Sequence, residues 1–467
     1  MLLVESFVDE SRYRGTGYRA CGFEAVGMNG GFARCSRDYY SEHGQPKQLY
    51  LRAVRKNAAA LLRQGRLPAE LAEYEQNLSG PCPLRAEALG SLLDLFKTLK
   101  DKRRGHGLRH RQAFVLACAT VAMLMGAGGY QAFEDVSRKL SQRQLRALGC
   151  RYHPKAKKCL PPSDTTFFRV INQVDAVQFA QLAGQWMMGR EISVLERLAV
   201  DGKLLRGSGR GDGKPLQLLS AVSHRLRLTV AQLAIAEKSN EIPALQPMLE
   251  TLPCLEGSVI TADAMQCQQQ AARYLTQQRG ADYLFGLKAN QEGILERAQV
   301  KLPQDFFPCE YDTGWSKEHG RLQRWRFQRK ETTPEQAGLC GCWQFIAVWR
   351  DRHYLRKGKV IKQEQEYSYY VTSLACAEST QGQIAQIIRG HWNALENGSH
   401  YRRDVTLGED ASLISGRAGA HVMATLRNLV LDLFELQQDG GKTDGYVPGW
   451  QRKMRGSNAL TLIKAKN

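Results

Sequence analysis

Two stretches decide the fold: VLERLAVDGKLLRGS at 194–208 and GSVITADAMQCQ at 257–268. In each, a short apolar run ends on an aspartate, Asp201 in the first and Asp263 in the second. Apolar runs of this length, bounded by Gly and charged residues, read as buried strands. A strand that ends on a carboxylate delivers that acid to the edge of a sheet, where ligand crevices form. A third acid, Glu396, lies in RGHWNALENGSHYRRD at 389–404, whose pattern is helical. Each acid also has an ordinary reading. Asp201 opens a DG turn dipeptide, Asp263 stands where a helix cap would, and Glu396 could be a solvated helix residue.

Working outward, KPLQLLSAVSH (214–224) and LTVAQLAIAE (228–237) read as two more strands joined by a turn near Arg225–Arg227. EIPALQPMLETL (241–252) reads as a helix, GSVITADA as a fourth strand, MQCQQQAARYLTQQRG (265–280) as a helix and DYLFGLKA (282–289) as a fifth strand. Three strands that can form a meander, followed by helix–strand–helix–strand, match the plan of a ribonuclease-H-like α/β core with a mixed sheet. That core is expected at 191–300 and 376–435. It is interrupted at 301–375 by a β-rich insertion with aromatic and β-branched bias. Upstream, 66–190 is expected as a helical, basic domain for DNA binding or dimerisation, and 1–65 as a small unit with strands in LLVESFVD (2–9) and QLYLRAV (48–54). The last residues, 436–467, are polar, Gly-rich and basic, and are expected as a flexible tail.

The 467-residue chain carries 65 Lys and Arg against 46 Asp and Glu, a formal net charge of +19. A polyanionic partner follows, double-stranded DNA before a membrane. The start lacks a signal peptide pattern, and the apolar run 113–127 is too short to span a bilayer. A cytoplasmic protein, nucleoid-associated when acting, is expected. Cys150, His153 and Cys159 stand close enough to suggest zinc, but no second CxxC accompanies them, and the 12 cysteines are expected reduced.

Carboxylates in a basic protein suit divalent cations and a phosphodiester substrate. One ion activates water or a 3′-hydroxyl, and the other stabilises the leaving oxygen. Asp201, Asp263 and Glu396 are the expected catalytic residues and metal ligands, with Mg2+ as cofactor and Mn2+ as substitute. Phosphate or base contacts are expected from Arg103, Arg104 and Arg109 in a loop, from Lys203 and Arg206 after the first Asp, and from Lys238, Lys288, His391 and Trp392. Asn240 and Glu241, before the helix at 241–252, could also act on substrate. Asp404 could join the acids but is expected to pair with Arg403 or another arginine.

The motifs DKRRGHGLRH (101–110), PPSDTTFFRV (161–170), VDGKLLRGS (200–208), EKSNEIPALQPML (237–249), ITADAMQCQ (260–268), DYLFGLKANQ (282–291), EHGRLQRWR (318–326) and RGHWNALENGSHYRRDVTLGED (389–410) together resemble the ISAs1-type, H-repeat-associated insertion-sequence transposases, over about residues 95–435. The resemblance implies an acidic-triad transposase that hydrolyses a phosphodiester and transfers a 3′-hydroxyl at element ends, with its triad on Asp201, Asp263 and Glu396. It implies a basic motif at His319, Gly320 and Arg321, with Arg324 beside it, and a homodimer or higher assembly to hold two DNA ends. Two departures stand out: Gln323 replaces a common acid, and the HWNALEN motif is one residue longer than the HWxIEN form. LLVESFVDESRYRGTGYRA (2–20) is similar to the tail of a domain in the DNA-associated protein of Druantia phage-defence systems. A metal-dependent nuclease in phage defence or another host function, and a domesticated DNA-binding protein without strand transfer, are the alternatives. Terminal inverted repeats beside the gene would separate the first from the transposase reading.

Overall fold

The computed structural model describes residues 3–28, 32–36, 39–42, 46–54, 58, 91–103, 108–189, 195–209, 214–236, 240–305, 308–318, 321–356, 359–443 and 445–465. The chain divides into two compact units, Met1–Cys82 and Pro83–Asn467. In the first, the expected strands form as Leu3–Val8 and Gln48–Ala53, antiparallel, with Glu24–Met28 on the other side of Gln48–Ala53.

The second unit is built around a ten-stranded sheet. Its strands are β1 (Arg197–Leu205), β2 (Leu216–Ser223), β3 (Thr229–Ala234), β4 (Val259–Ala262), β5 (Asp282–Leu287), β6 (Tyr311–Asp312), β7 (Ser316–Glu318), β8 (Arg321–Glu331), β9 (Gln344–Arg356) and β10 (Lys359–Thr372). The order is β3-β2-β1-β4-β5-β10-β9-β8-β6, with β7 on β8. The first five strands form the expected core: an antiparallel meander β1–β3, then β4 parallel to β1 and β5 parallel to β4. Central parallel strands are covered on both faces and need continuous apolar sequence. Leu198, Ala199 and Val200 of β1 are accordingly wholly buried, as are all four residues of β4.

The insertion is β-rich, as its composition implies, and it continues the core sheet. β10 pairs antiparallel with β5, from Leu284↔Thr372 to Leu287↔Tyr369. The long ladders β9–β10 and β8–β9 then carry the sheet outward.

Helices α1 (Leu92–Thr98), α2 (Gln112–Leu124), α3 (Tyr130–Lys139), α4 (Asp164–Ile171) and α5 (Ala176–Met188) precede the sheet. α2 is apolar on every side and buried along all but Ala113, as a central helix must be. α5 lies against β3 at Gly184, where a Cβ would stand 2.1 Å from the Val230 carbonyl oxygen. After the sheet come α6 (Gln381–Trp392), α7 (Arg417–Asp439), α8 (Val447–Lys453) and α9 (Gly456–Lys464). α1–α5 share one hydrophobic core with α7, α8 and α9.

The C-terminal segment therefore departs from the flexible tail expected at 436–467. Val447, Trp450, Met454, Ala459 and Ile463 are buried in the helical core, and the Gln451 side chain donates to the Met123 carbonyl at 2.9 Å. Polar composition hid a sparse helical period, with apolar residues three, four or five apart. Among the described residues no helix is long and apolar enough to cross a membrane.

Candidate active site

The ladder between β1 and β4 sets the first two acids side by side. Val200 pairs with Ala262 in parallel register, so the next residue on each path is Asp201 and Asp263. The Gly202 amide donates to Asp201 Oδ1 at 2.8 Å, and the His400 Nδ1 lies 3.6 Å from its Oδ2. Asp263 caps the short turn Ala264–Gln266, its Oδ1 accepting from the Met265 amide at 3.0 Å. The cap reading and the site reading are thus compatible, because a cap uses one carboxylate oxygen.

Glu396 arrives on a different element. α6 starts in a capping box of Thr380 and Gln383 and buries Ile384, Ile387 and Ile388. It runs on into wide π-helical turns at Asn393–His400. A π turn holds one more residue than an α turn, which accommodates the extra residue in HWNALEN. Ala394 and Leu395 pack on Ala199 and Val222, and Glu396 next to them is exposed.

Charge at this corner is unbalanced. Burial, then the negative charges of Glu241, Asp263 and Glu396, push Asp201 up to about 7. Glu241 is also raised, by burial and by Asp263. Among the described residues no three His, Cys or acidic side chains stand within a single metal coordination shell. The three expected ligands therefore do not converge into one shell in this structure: Glu396 faces solvent. Their chemistry nevertheless fits a hard divalent cation, since every donor is a carboxylate oxygen and Asp201 is ringed by acids whose charge a cation would offset.

The basic residues fall into distinct groups. Lys203 is buried and paired with Asp404, which takes it away from the phosphate contact expected of it and gives Asp404 a lysine partner instead of an arginine. His391 points inward: its Nδ1 shares the Thr261 hydroxyl at 2.9 Å with His224 Nε2, also at 2.9 Å. Burial lowers His391 to about 4 and His224 to about 3, so both rings are neutral. Arg103 bonds Asp101 at 2.7 Å and the His110 carbonyl at 2.8 Å within its own loop, while Arg109 is exposed. Arg206 is exposed, with Asp410 at 3.8 Å. Arg324 pairs with Asp312 at 2.9 Å, and Arg321 sits half-buried on β8. Gln323 is buried and accepts from Arg350 at 3.0 Å. Arg104, Lys238, His319 and Gly320 lie outside the described residues. A cavity of about 420 Å³ opens beside Asp263, lined by Lys288, Tyr367, Tyr370, His391 and Trp392 among others.

Cys150 and His153 are engaged locally. The thiol donates to the Leu160 carbonyl at 3.2 Å, and His153 Nδ1 accepts from the Ala156 amide at 3.1 Å. Glu241 was legible only as a polar residue before a helix; its approach to Asp201 needed the folded chain.

The family model described as "Transposase DDE domain" matches residues 193–433, and the one described as "DDE_Tnp_1-associated" matches 93–187. The chain is 28% identical over 355 residues to "Putative transposase YncI" of Escherichia coli O157:H7, covering 74% of this chain and 87% of that one. It is 27% identical over 387 residues to "H repeat-associated putative transposase YhhI" of E. coli K12, covering 79% and 94%. It is 34% identical over 234 residues to "Uncharacterized protein in dhlA 3'region" of Xanthobacter autotrophicus, covering 49% and 76%.

Proposed function

This chain belongs to the transposase DDE-domain family, and from that membership we propose how it acts as a DNA transposase: metal-dependent hydrolysis of a phosphodiester at element ends, followed by attack of the freed 3′-hydroxyl on a target phosphodiester, which joins the strands and releases the target's own 3′-oxygen. The observation that carries the reading is the pair of aspartates that follow Val200 and Ala262, register partners on adjacent parallel strands, beneath the helix of Glu396. Asp201, Asp263 and Glu396 would hold Mg2+ or Mn2+, which when bound supplies nucleophile activation and leaving-group stabilisation. The chain's own groups do the remaining work. Gly202 and Met265 amides orient the two aspartates. His400, lowered to about 3 by burial and by the charges of Arg403 and Lys203, stays neutral beside Asp201. Exposed Lys288 and the aromatic cavity beside Asp263 offer a cation and flat rings to an entering DNA end. Two ends must be held in one complex, so a homodimer or larger assembly follows.

The test is incubation of the full chain with duplex DNA from its own genomic flanks and Mg2+ or Mn2+, with product ends mapped. Nicks at the element boundary, and joined products bearing target DNA, are expected. Hydrolysis without joining would favour a host nuclease, and duplex binding without cleavage a domesticated binder.

A further inference from the structure

We propose that Glu241 is a fourth carboxylate of the cation site, reaching Asp201 and Asp263 across the bare backbone of Gly202. The inference rests on the metal-dependent reading above and deepens it. The local chain explains the placement. Asn240 Oδ1 accepts from the Ile242 amide at 3.0 Å and starts the turn Ile242–Ala244, with Pro243 in its first positions. That turn directs Glu241 inward, where it is only 7% exposed. At Gly202 of β1, one residue past Asp201, an added Cβ would stand 1.9 Å from Glu241 Oε1 and 2.7 Å from Oε2. The space that any other residue would fill is thus occupied by the Glu241 carboxylate.

Among the described residues the side-chain partner of Glu241 is the Gln217 amide, donating to Oε1 at 2.6 Å, rather than a basic group. Asp201 adjoins Gly202 on β1, and Asp263 follows Ala262, the parallel partner of Val200. A buried acid beside further acids, held by a neutral amide, is poorly compensated by the described residues. A divalent cation is the partner such a set lacks in chemical terms, and an oxygen fixed by Gln217 would orient the carboxylate toward it.

The experiment is Mn2+ titration of the full-length chain by calorimetry, with electron paramagnetic resonance of free Mn2+ as a second readout. The proteins are the parent, Glu241→Gln, Gly202→Ala, Asp201→Asn and, as a control on the exposed end of a helix, Glu250→Gln. Circular dichroism verifies folding. Glu241→Gln is expected to weaken Mn2+ binding about 10–100-fold. Gly202→Ala should weaken it in the same direction, because the methyl displaces a carboxylate that remains in the chain, and it decides the matter should Glu241→Gln fail to fold. Glu250→Gln should bind as the parent does. Parent-like Mn2+ affinity in folded Glu241→Gln and Gly202→Ala, with binding lost in Asp201→Asn, would overturn the role of Glu241 and leave the metal-site reading standing. A parent protein that binds no Mn2+ would overturn both.

Discussion

Asp201 and Glu396 reach the same corner of the molecule by opposite means. Asp201 is carried by a central strand, hydrogen-bonded on both sides and buried at Leu198, Ala199 and Val200. Glu396 is carried by a widened helix that touches the sheet through Ala394 and Leu395 and leaves the acid exposed. The two strands are preset, although β1 runs on past Asp201 to Leu205 and does not end on that acid as its apolar run led one to expect; the helix is an addition laid over them. Its anchors are the buried Arg403–Glu409–Arg427 cluster downstream and the His224–Thr261–His391 contact upstream. A site assembled this way can keep two carboxylates rigid while the third adjusts.

The largest expected effect tests whether both regions serve one reaction. Asp201→Asn and Asp263→Asn should lower metal-dependent nicking of flanking DNA by orders of magnitude, with duplex binding retained. Glu396→Gln should do the same. A Glu396→Gln protein that nicks like the parent would confine the chemistry to the strand ends.

The next effect is on stability. Glu409→Gln removes the charge paired with fully buried Arg403 and nearly buried Arg427. A loss of about 3–5 kcal/mol in denaturant unfolding is expected, with the helix of Glu396 the first segment to gain hydrogen exchange. A smaller loss, about 1–3 kcal/mol, is expected for Thr261→Val, which takes from His224 and His391 the hydroxyl they share. If that variant unfolds like the parent, the upstream contact is not an anchor.

The two regions should also answer pH with opposite sign. Asp201 of the metal-free protein holds its proton more tightly folded than unfolded, with a value of about 7 against 3.8. Its contribution is full below about 4 and is lost as pH rises toward 7; Asp201→Asn should remove that slope. His224, His391 and His400 are lowered from 6.5 to about 3–4. Their contribution is full above 6.5 and is lost as pH falls, so His391→Gln should blunt the acid limb. Melting temperature across pH 4–8 in chelator separates the two slopes.

The smallest effect lies away from the site. Arg109→Ala should weaken duplex binding on any sequence and reduce the salt slope by about 1. Arg103→Ala, which breaks contacts within its own loop, should act through loop order more than through charge. Fluorescence anisotropy across a salt series reads both.

Much of the plan was legible in sequence because it rests on local pattern. The apolar runs before Asp201 and Asp263, the order of strands and helices, and the all-apolar α2 each declare themselves within a window of residues. The same is true of the strand-rich insertion, whose attachment to β5 was not. Local windows failed where a side chain's partner lies far along the chain. Lys203 meets Asp404, and His391 meets Thr261 and His224. The C-terminal helices find their apolar partners on α2 and α7.

By itself, then, the sequence determined the order of the core strands and helices, which apolar runs lead to Asp201 and Asp263, and that the chain carries excess positive charge. Periodicity and composition act over a few residues and survive any arrangement of the rest. Only the tertiary structure decided which cations are buried in ion pairs, that the insertion lengthens the core sheet, and that Glu241 lies over Gly202. Those outcomes depend on which distant surfaces share the cost of desolvation, and no local pattern encodes that choice.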